Sequence, residues 1–135
     1  MRTIEKNIIQ VLEELKDANY MTWDNFSLSV RDSVYKDSET IQYKLWNNII
    51  YEYNRKENTY YFSGRGYCSL TTKNRLNAIL NAFLNASIIQ KNYKWFLNWN
   101  QKEYLIDATN IFYFKGDKIY KKASHDVEVL PIENN

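Results

Sequence analysis

Apolar side chains near the N-terminus repeat with the spacing of an α-helix. They fall at i, i+4, i+7, i+8 and i+11, and they are Ile4, Ile8, Val11, Leu12 and Leu15. This spacing forms one stripe along a helical cylinder. Thr3 is a suitable N-cap, Glu5 is favourably placed in the first turn, and Asn19 is a suitable stop signal. We therefore predict a first helix between Thr3 and Asn19.

The segment 21–37 fits two patterns. Phe26, Leu28 and Val30 alternate with polar residues, which is typical of a strand. The alternative is a helical face, which is formed by Trp23, Phe26, Val30 and Val34. We favour a strand from Phe26, because the β-branched and small residues of this segment suit a pleated surface.

The next stretch alternates apolar and polar residues over 41–46 and again over 49–53. We interpret the Asn47-Asn48 pair between these runs as a bulge, which shifts the alternation by one residue. The polar segment 54–58 then joins this strand to a second one at 59–62. Together the two strands predict a hairpin.

After residues 63–66 the apolar period changes back to that of a helix. The apolar positions, at i, i+3, i+4, i+7 and i+8, are Leu76, Ile79, Leu80, Phe83 and Leu84. They predict a second helix over 72–85, with Thr71 or Thr72 as its N-cap.

The C-terminal third predicts further strands at 88–99 and 103–106 and a last hairpin formed by 111–114 and 119–120. Runs of strands separated by one helix are typical of the α+β class. We predict a single compact α+β domain over 1–123, in which an antiparallel sheet carries two α-helices packed on one face. Residues 124–135 are expected to form a flexible C-terminal tail.

The composition narrows the classes of function. A chain of 135 residues with 44% hydrophobic and 25% charged residues suits one globular domain. The sequence shows neither a membrane-spanning run nor a secretory leader, so we expect a cytoplasmic protein with no membrane partner. One cysteine and one histidine provide neither a zinc site nor a disulfide. We expect no metal and no cofactor.

Aromatic residues make up 16% of the chain, and 12 of them are tyrosines. A small domain does not bury that many rings, so several should be exposed. Tyrosine and tryptophan are enriched at binding interfaces, which favours a binding role. An AT-rich genome, whose codons favour tyrosine and asparagine, is the alternative explanation.

Charge is distributed unevenly along the chain. Residues 1–40 carry five basic and eight acidic side chains, whereas residues 54–94 carry seven basic side chains and one acidic. This asymmetry predicts a positive face, which suits nucleic-acid phosphates or an acidic protein surface. A solvated, lysine-rich surface is the alternative.

The segment 62–75 contains the most suggestive local chemistry, because it passes from a strand through two glycines to a helix start. A helix N-terminus favours anions and repels cations. An anionic partner would relieve the repulsion between the helix dipole and the cations in this first turn. A plain turn with a capped helix is the alternative. With the aromatic strand that follows, this segment supplies the candidate partner- or anion-binding residues, namely Arg65, Tyr67, Thr71, Thr72, Lys73, Arg75, Lys91, Tyr93, Lys94 and Trp99.

Catalytic candidates are few. Cys68 precedes the predicted second helix, and its only available base is His125, in the predicted tail. We therefore expect no catalytic residues and a protein that is not an enzyme.

Three segments, 48–63, 67–77 and 91–97, resemble a group of small uncharacterised proteins from phages and mobile elements of low-GC Gram-positive bacteria. In these proteins a strand hairpin runs through a Tyr-Ser-x-Thr-Thr-like segment into a helix that opens Lys-x-Arg-x-Asn. The resemblance implies a phage-type accessory protein, and by association an anti-CRISPR-like inhibitor of a host defence system.

Two hypotheses of function follow. In the first, exposed aromatics and a charged face bind a host defence effector protein, such as a Cas nuclease or its guide complex. In the alternative, the basic segment 55–94 binds nucleic acid or a nucleotide phosphate. Both leave the oligomeric state open.

Overall fold

The computed structural model describes residues 1–17 and 24–133. In chain order, the elements are α1 (Thr3–Asp17), β1 (Asp24–Ser27), β2 (Asp32–Lys36), β3 (Thr40–Leu45), β4 (Asn48–Asn54), β5 (Thr59–Phe62), α2 (Leu70–Leu84), β6 (Ser87–Lys91), β7 (Lys94–Trp99), β8 (Lys102–Ile106), β9 (Phe112–Lys115), β10 (Lys118–Lys121) and β11 (Val127–Val129).

The first helix is confirmed. Its buried stripe contains Ile8, Leu12 and Leu15, as the apolar spacing predicted. The Glu5 carboxylate accepts a hydrogen bond of 3.1 Å from the backbone N–H of Arg2, which satisfies one donor at the helix start. The predicted stop at Asn19 lies outside the described residues.

The strands form two antiparallel sheets. The large sheet has eight strands in the order β1-β2-β3-β4-β5-β9-β10-β11, and the small sheet has three in the order β6-β7-β8. The single compact domain, the antiparallel sheet and the two helices are therefore confirmed. The molecule is nevertheless mostly sheet rather than a clear α+β arrangement, because the described residues form eleven strands and two helices. The prediction of one sheet is also incomplete, since three of the strands form a second sheet.

One face of the large sheet carries the core. Helix α1 packs on β2 and β3, and α2 packs on α1 and on β6. The small sheet contacts the same core, since the Trp99 ring meets the Phe114 ring edge-on at 4.9 Å. The opposite face of the large sheet carries a row of three half-buried tyrosines, Tyr61, Tyr113 and Tyr120, with ring centroids 5.0 and 5.2 Å apart.

The interpretation of Asn47-Asn48 as a bulge is wrong, because the chain reverses at Trp46-Asn47 and continues as the next strand of the sheet. Both residues of this two-residue turn have positive φ, 48° and 68°, which is the geometry of a type I′ hairpin turn. The irregularity lies within the same hairpin, where the register between β3 and β4 shifts between Tyr43 and Lys44.

The predicted strand 88–99 is likewise two strands, β6 and β7. They are joined by a turn at Asn92-Tyr93, whose φ angles are 51° and 65°. In both turns one residue is a bulky aromatic rather than the glycine or amide residue typical of this turn type, which conceals the reversal. The strand at 103–106 and the hairpins at 49–62 and 111–120 are confirmed.

The second helix is confirmed, but its predicted N-cap is wrong. The cap is Ser69, whose side chain accepts a 3.1 Å hydrogen bond from the backbone N–H of Thr72. The helix ends at Asn85, which takes the left-handed conformation (φ 52°) common at helix C-termini.

In the segment 124–135, β11 pairs with β10. Beyond it, the backbone N–H of Ile132 donates a 2.7 Å hydrogen bond to the carbonyl of Glu103 in the small sheet. The segment thus contacts both sheets, and its flexibility stays a prediction.

Candidate functional site: an aromatic groove at the start of the second helix

A groove of about 400 Å³ lies between the β3–β4 turn, the loop before α2 and the first turn of α2. Its rim and walls are formed by Arg31, Trp46, Tyr67, Ser69, Thr71 and Thr72. The buried side chains of Leu45 and Ile50 also line it. The groove therefore combines apolar surface with hydroxyl groups and one arginine, which is the mixed lining typical of binding sites.

Four large apolar side chains near the groove are exposed to solvent: Trp46 (60%), Tyr67 (55%), Leu70 (64%) and Val30 (93%). Val30 precedes Arg31 in the chain, and Leu70 lies between two hydroxyl residues of the groove wall. These four side chains and Arg31 are named the Trp46 patch below.

Trp46 has an unusual backbone conformation. Its φ of 48° costs a residue with a side chain about 1–2 kcal/mol, and a bulky residue at positive φ is a genuine outlier. The backbone N–H of Trp46 donates a 2.8 Å hydrogen bond to the carbonyl of Arg31, which joins the turn to the loop before β2. The turn thus holds the indole at the groove rim.

The loop that carries Tyr67 is fixed by two backbone hydrogen bonds. The N–H of Tyr67 donates to the carbonyl of Gly64 at 2.9 Å, and the N–H of Gly66 donates to the carbonyl of Ala108 at 2.7 Å. A Cβ at the buried Gly64 would lie 2.6 Å from that same Ala108 carbonyl and 3.1 Å from the Trp95 ring. Glycine is therefore required for the loop to lie this close to the small sheet.

A buried ion pair lies beside the groove. The Arg75 Nε donates a 2.9 Å hydrogen bond to the Asp32 Oδ1, and neither side chain is exposed. Tyr43 donates its hydroxyl to the same carboxylate, and the Ser29 hydroxyl donates to its other oxygen at 2.7 Å. Burial acts to raise the pKa of Asp32, but these hydrogen bonds and the Arg75 charge outweigh it and hold the pKa below its ordinary value.

Two guanidinium groups share this one carboxylate. Arg31 Nε lies 3.7 Å from the second oxygen of Asp32, and its side chain is 40% exposed. The Nη1 and Nη2 groups of Arg75 have no hydrogen-bond partner among the described residues. Two guanidinium groups and one carboxylate give this cluster a net positive charge, and Arg31, one of the two, lines the groove.

A second exposed aromatic side chain lies in the β6–β7 turn. Tyr93 is 96% exposed, and Lys91 and Lys94 flank the turn. Lys91 Nζ lies over the Phe96 ring and 2.9 Å from Glu103 Oε1, in a partly exposed ion pair.

The structure places the ten predicted site residues in different parts of the molecule. Those that are exposed are Arg65, Tyr67, Lys91, Tyr93 and Lys94, and those that are half-buried are Thr71 and Lys73. The buried ones are Thr72, Arg75 and Trp99, so these three side chains lie beneath the surface.

The predicted residues do not form one site. Only Tyr67, Thr71 and Thr72 line the groove. Arg65 donates its Nε to the Ile49 carbonyl at 2.7 Å and lines a separate cavity of about 120 Å³.

Sequence reasoning missed Arg31, Trp46, Val30 and Leu70. The signal that was available is the asparagine that directly follows Trp46 between two alternating runs, because asparagine tolerates positive φ in hairpin turns. A turn there would have placed the indole at the surface.

Among residues 1–17 and 24–133, His, Cys, Asp and Glu side chains form no group of three that would hold a metal ion. Within the same residues, no helix is both long and apolar enough to cross a membrane.

The fold defines a small, predominantly β domain with two helices and an exposed aromatic groove. A family model described as Kyanoviridae Gp96 protein matches residues 1–120, so the chain belongs to this family of phage proteins. The predicted phage origin is confirmed, whereas the assignment to low-GC Gram-positive bacteria is not supported by this match. No curated protein and no solved structure matches the chain.

Proposed function

We propose that this phage protein is a non-enzymatic inhibitor of a host defence system that docks on an effector protein through the Trp46 patch. The observation that carries the proposal is that two exposed aromatic side chains, Trp46 and Tyr67, line one groove, while exposed Val30 and Leu70 are next in sequence to other residues of its lining. Exposed apolar patches rimmed by polar residues mark protein interaction sites. Tryptophan, tyrosine and arginine, which meet here, are the residues most enriched among interface hot spots.

The strained turn adds support. Residues held at unfavourable φ cluster at functional sites, because the surrounding structure maintains them at a cost in stability. Trp46 is held in this way although it is 60% exposed, so its side chain contributes little to the core. A role in contacting a partner accounts for both observations.

The distribution of cations favours a protein partner over nucleic acid. Arg75 is buried against Asp32, Arg55 donates an Nη2 hydrogen bond to the Leu15 carbonyl at the end of α1, and Arg65 lines the separate cavity. A phosphate backbone is bound by several cations that act together. Because the chain belongs to a phage protein family, we take the partner to be an effector of the infected host, such as a Cas nuclease or its guide complex in the host cytoplasm.

The test is phage plating on a host that carries an active CRISPR system and expresses the chain. Expression should raise the plating efficiency, and the double variant Trp46→Asn/Tyr67→Ala should lose that protection. Asparagine is chosen because it tolerates the positive φ of this turn. Leu105→Ala is the matched control, since Leu105 is exposed (49%) on the small sheet, away from the groove.

Two results would contradict the proposal. One is the absence of protection by the unmodified chain across hosts with different defence systems. The other is full protection by the double variant, which would show that docking does not use the Trp46 patch.

The second candidate function is binding of nucleic acid through the Tyr93 turn. The observation that favours it is a fully exposed ring between two lysines, because single-stranded nucleic acids bind to aromatic rings beside cations. Binding to labelled oligo(dT) should weaken steeply with salt and should fall in Tyr93→Asn and Lys94→Gln. An affinity that neither salt nor these variants change would exclude this candidate.

A further inference from the structure

We propose that the groove of the Trp46 patch takes an extended acidic segment of the partner protein, with a carboxylate at Arg31 and an apolar side chain between Trp46 and Tyr67. The inference rests on the proposed docking function and names the chemistry of the occupant.

The charges beside the groove favour a carboxylate. Its lining residues include one arginine and no acidic side chain. The one carboxylate nearby, Asp32, is fully buried and already accepts hydrogen bonds from Arg75, Tyr43 and Ser29. Arg31, in contrast, is 40% exposed, its Nε lies 3.7 Å from that shared carboxylate, and no acidic side chain lines the groove with it.

The start of α2, which also lines the groove through Thr71 and Thr72, has the same preference. Its first turn contains no acidic residue. A helix start with no carboxylate of its own is stabilised by an anion from outside. Arg31 and the start of α2 therefore both favour negative charge in one groove, and the Thr71 hydroxyl adds a hydrogen-bonding group there.

The apolar lining explains why the occupant is a peptide rather than an isolated anion. Trp46 and Tyr67 expose more than half of their surface, and buried Leu45 and Ile50 also line the groove. Its volume of about 400 Å³ lies within the range of about 300–1,000 Å³ that is typical of ligand sites. A side chain inserted between the two rings gains burial, while an adjacent carboxylate reaches Arg31.

The same lining argues against a nucleic-acid strand in this groove. Phosphates follow one another along a strand, and each bound phosphate needs a cation. The groove offers one exposed cation, Arg31, among its lining residues. One cation beside two rings matches an acidic residue next to an apolar one.

The test uses ¹⁵N-labelled full-length protein and nuclear magnetic resonance titration. The probe is an N-acetylated peptide, Asp-Glu-Phe-Glu-Asp, and the matched probe replaces each acid by lysine. The reporters are the indole N–H of Trp46 and the Nε–H of Arg31. The buried indoles of Trp95 and Trp99 are internal controls.

The acidic peptide should shift both reporters saturably, whereas the lysine peptide should leave them unchanged. Arg31→Gln should weaken the acidic peptide about tenfold or more, the loss of one charge-assisted contact. Lys56→Gln removes the same charge from an exposed turn that follows β4 at Asn54, the end of the strand opposite to groove-lining Asn48, and should leave the affinity unchanged.

Three outcomes would overturn the inference: equal shifts by both peptides, no shift at Trp46, or a stronger shift by oligo(dT) than by the acidic peptide. Phage plating separates this failure from failure of the docking function. If protection still depends on Trp46 while the peptide result is negative, docking stands and only the acidic occupant is wrong.

Discussion

Two hairpin turns of this molecule share one geometry and differ in what surrounds them. Trp46-Asn47 and Asn92-Tyr93 are both two-residue turns with positive φ at both positions, and each presents an exposed aromatic ring. Trp46 lies at the rim of a groove with other exposed apolar side chains, whereas lysines flank Tyr93. The turn presents a ring in both cases, and the surroundings determine the kind of partner that the ring suits.

The two regions also differ in the ion pair that lies nearby. Near Trp46 it is Asp32–Arg75, in which neither side chain is exposed. Near Tyr93 it is Lys91–Glu103, in which the side chains are 52% and 30% exposed. A buried pair is costly to break and a partly exposed one is not. The Trp46 region therefore depends on one interaction far more than the Tyr93 region does.

The largest expected effect comes from breaking these two pairs by isosteric changes. Asp32→Asn leaves the Arg75 charge buried without its counter-charge and should lower the free energy of unfolding by about 3–5 kcal/mol. Glu103→Gln should lower it by at most about 1 kcal/mol. Urea unfolding of both variants measures the contrast. Equal losses in the two variants would mean that water reaches Arg75.

Acid should reduce the first of these effects. Because the folded pKa of Asp32 lies below its ordinary value of about 3.9, its contribution is present above that pH and is lost as the pH falls through the folded pKa. The stability difference between the unmodified chain and Asp32→Asn should therefore be largest near neutral pH and shrink below about pH 4. Urea unfolding over a pH series measures it, and a constant difference down to about pH 2.5 would contradict it.

A smaller effect is expected at Gly64, where the loop that carries Tyr67 packs against the Trp95 ring of the small sheet. Gly64→Ala places a Cβ 2.6 Å from the Ala108 carbonyl and against Trp95, so it should cost about 1–3 kcal/mol and shift the Trp95 indole resonance. Gly66→Asn is the control, because a Cβ at Gly66 meets no atom within 4 Å and asparagine tolerates its φ of 83°. If the two variants cost the same, the loop does not depend on close packing at Gly64.

The parts of the fold that were predicted from the sequence are those with a local signal. Both helices were found from their apolar stripes, because three to four residues separate contacts on a helix face. The two turns were missed because Trp46 and Tyr93 take positions where a small or amide residue is expected. Register and sheet order depend on distant partners, so the small sheet could not be separated from the large one.

The candidate site was predicted only in part, for the same reason. Tyr67 and Thr71 lie in the groove because they flank a helix start that was recognised in the sequence. Arg75 was predicted to bind a partner or an anion, but it occupies the buried stripe of α2 and pairs with a residue 43 positions away. No local pattern contains that pairing.

The smallest expected effect on stability tests the comparison most directly. Glycine takes positive φ without strain, so Trp46→Gly and Tyr93→Gly should each leave the free energy of unfolding unchanged to within about 1 kcal/mol. Their effects on function should separate: Trp46→Gly should abolish phage protection and leave oligo(dT) binding unchanged, and Tyr93→Gly should leave protection intact. Loss of protection in both variants would mean that the two turns contact one partner together. Because neither change should unfold the chain, that result would revise the assignment of separate roles rather than reflect misfolding.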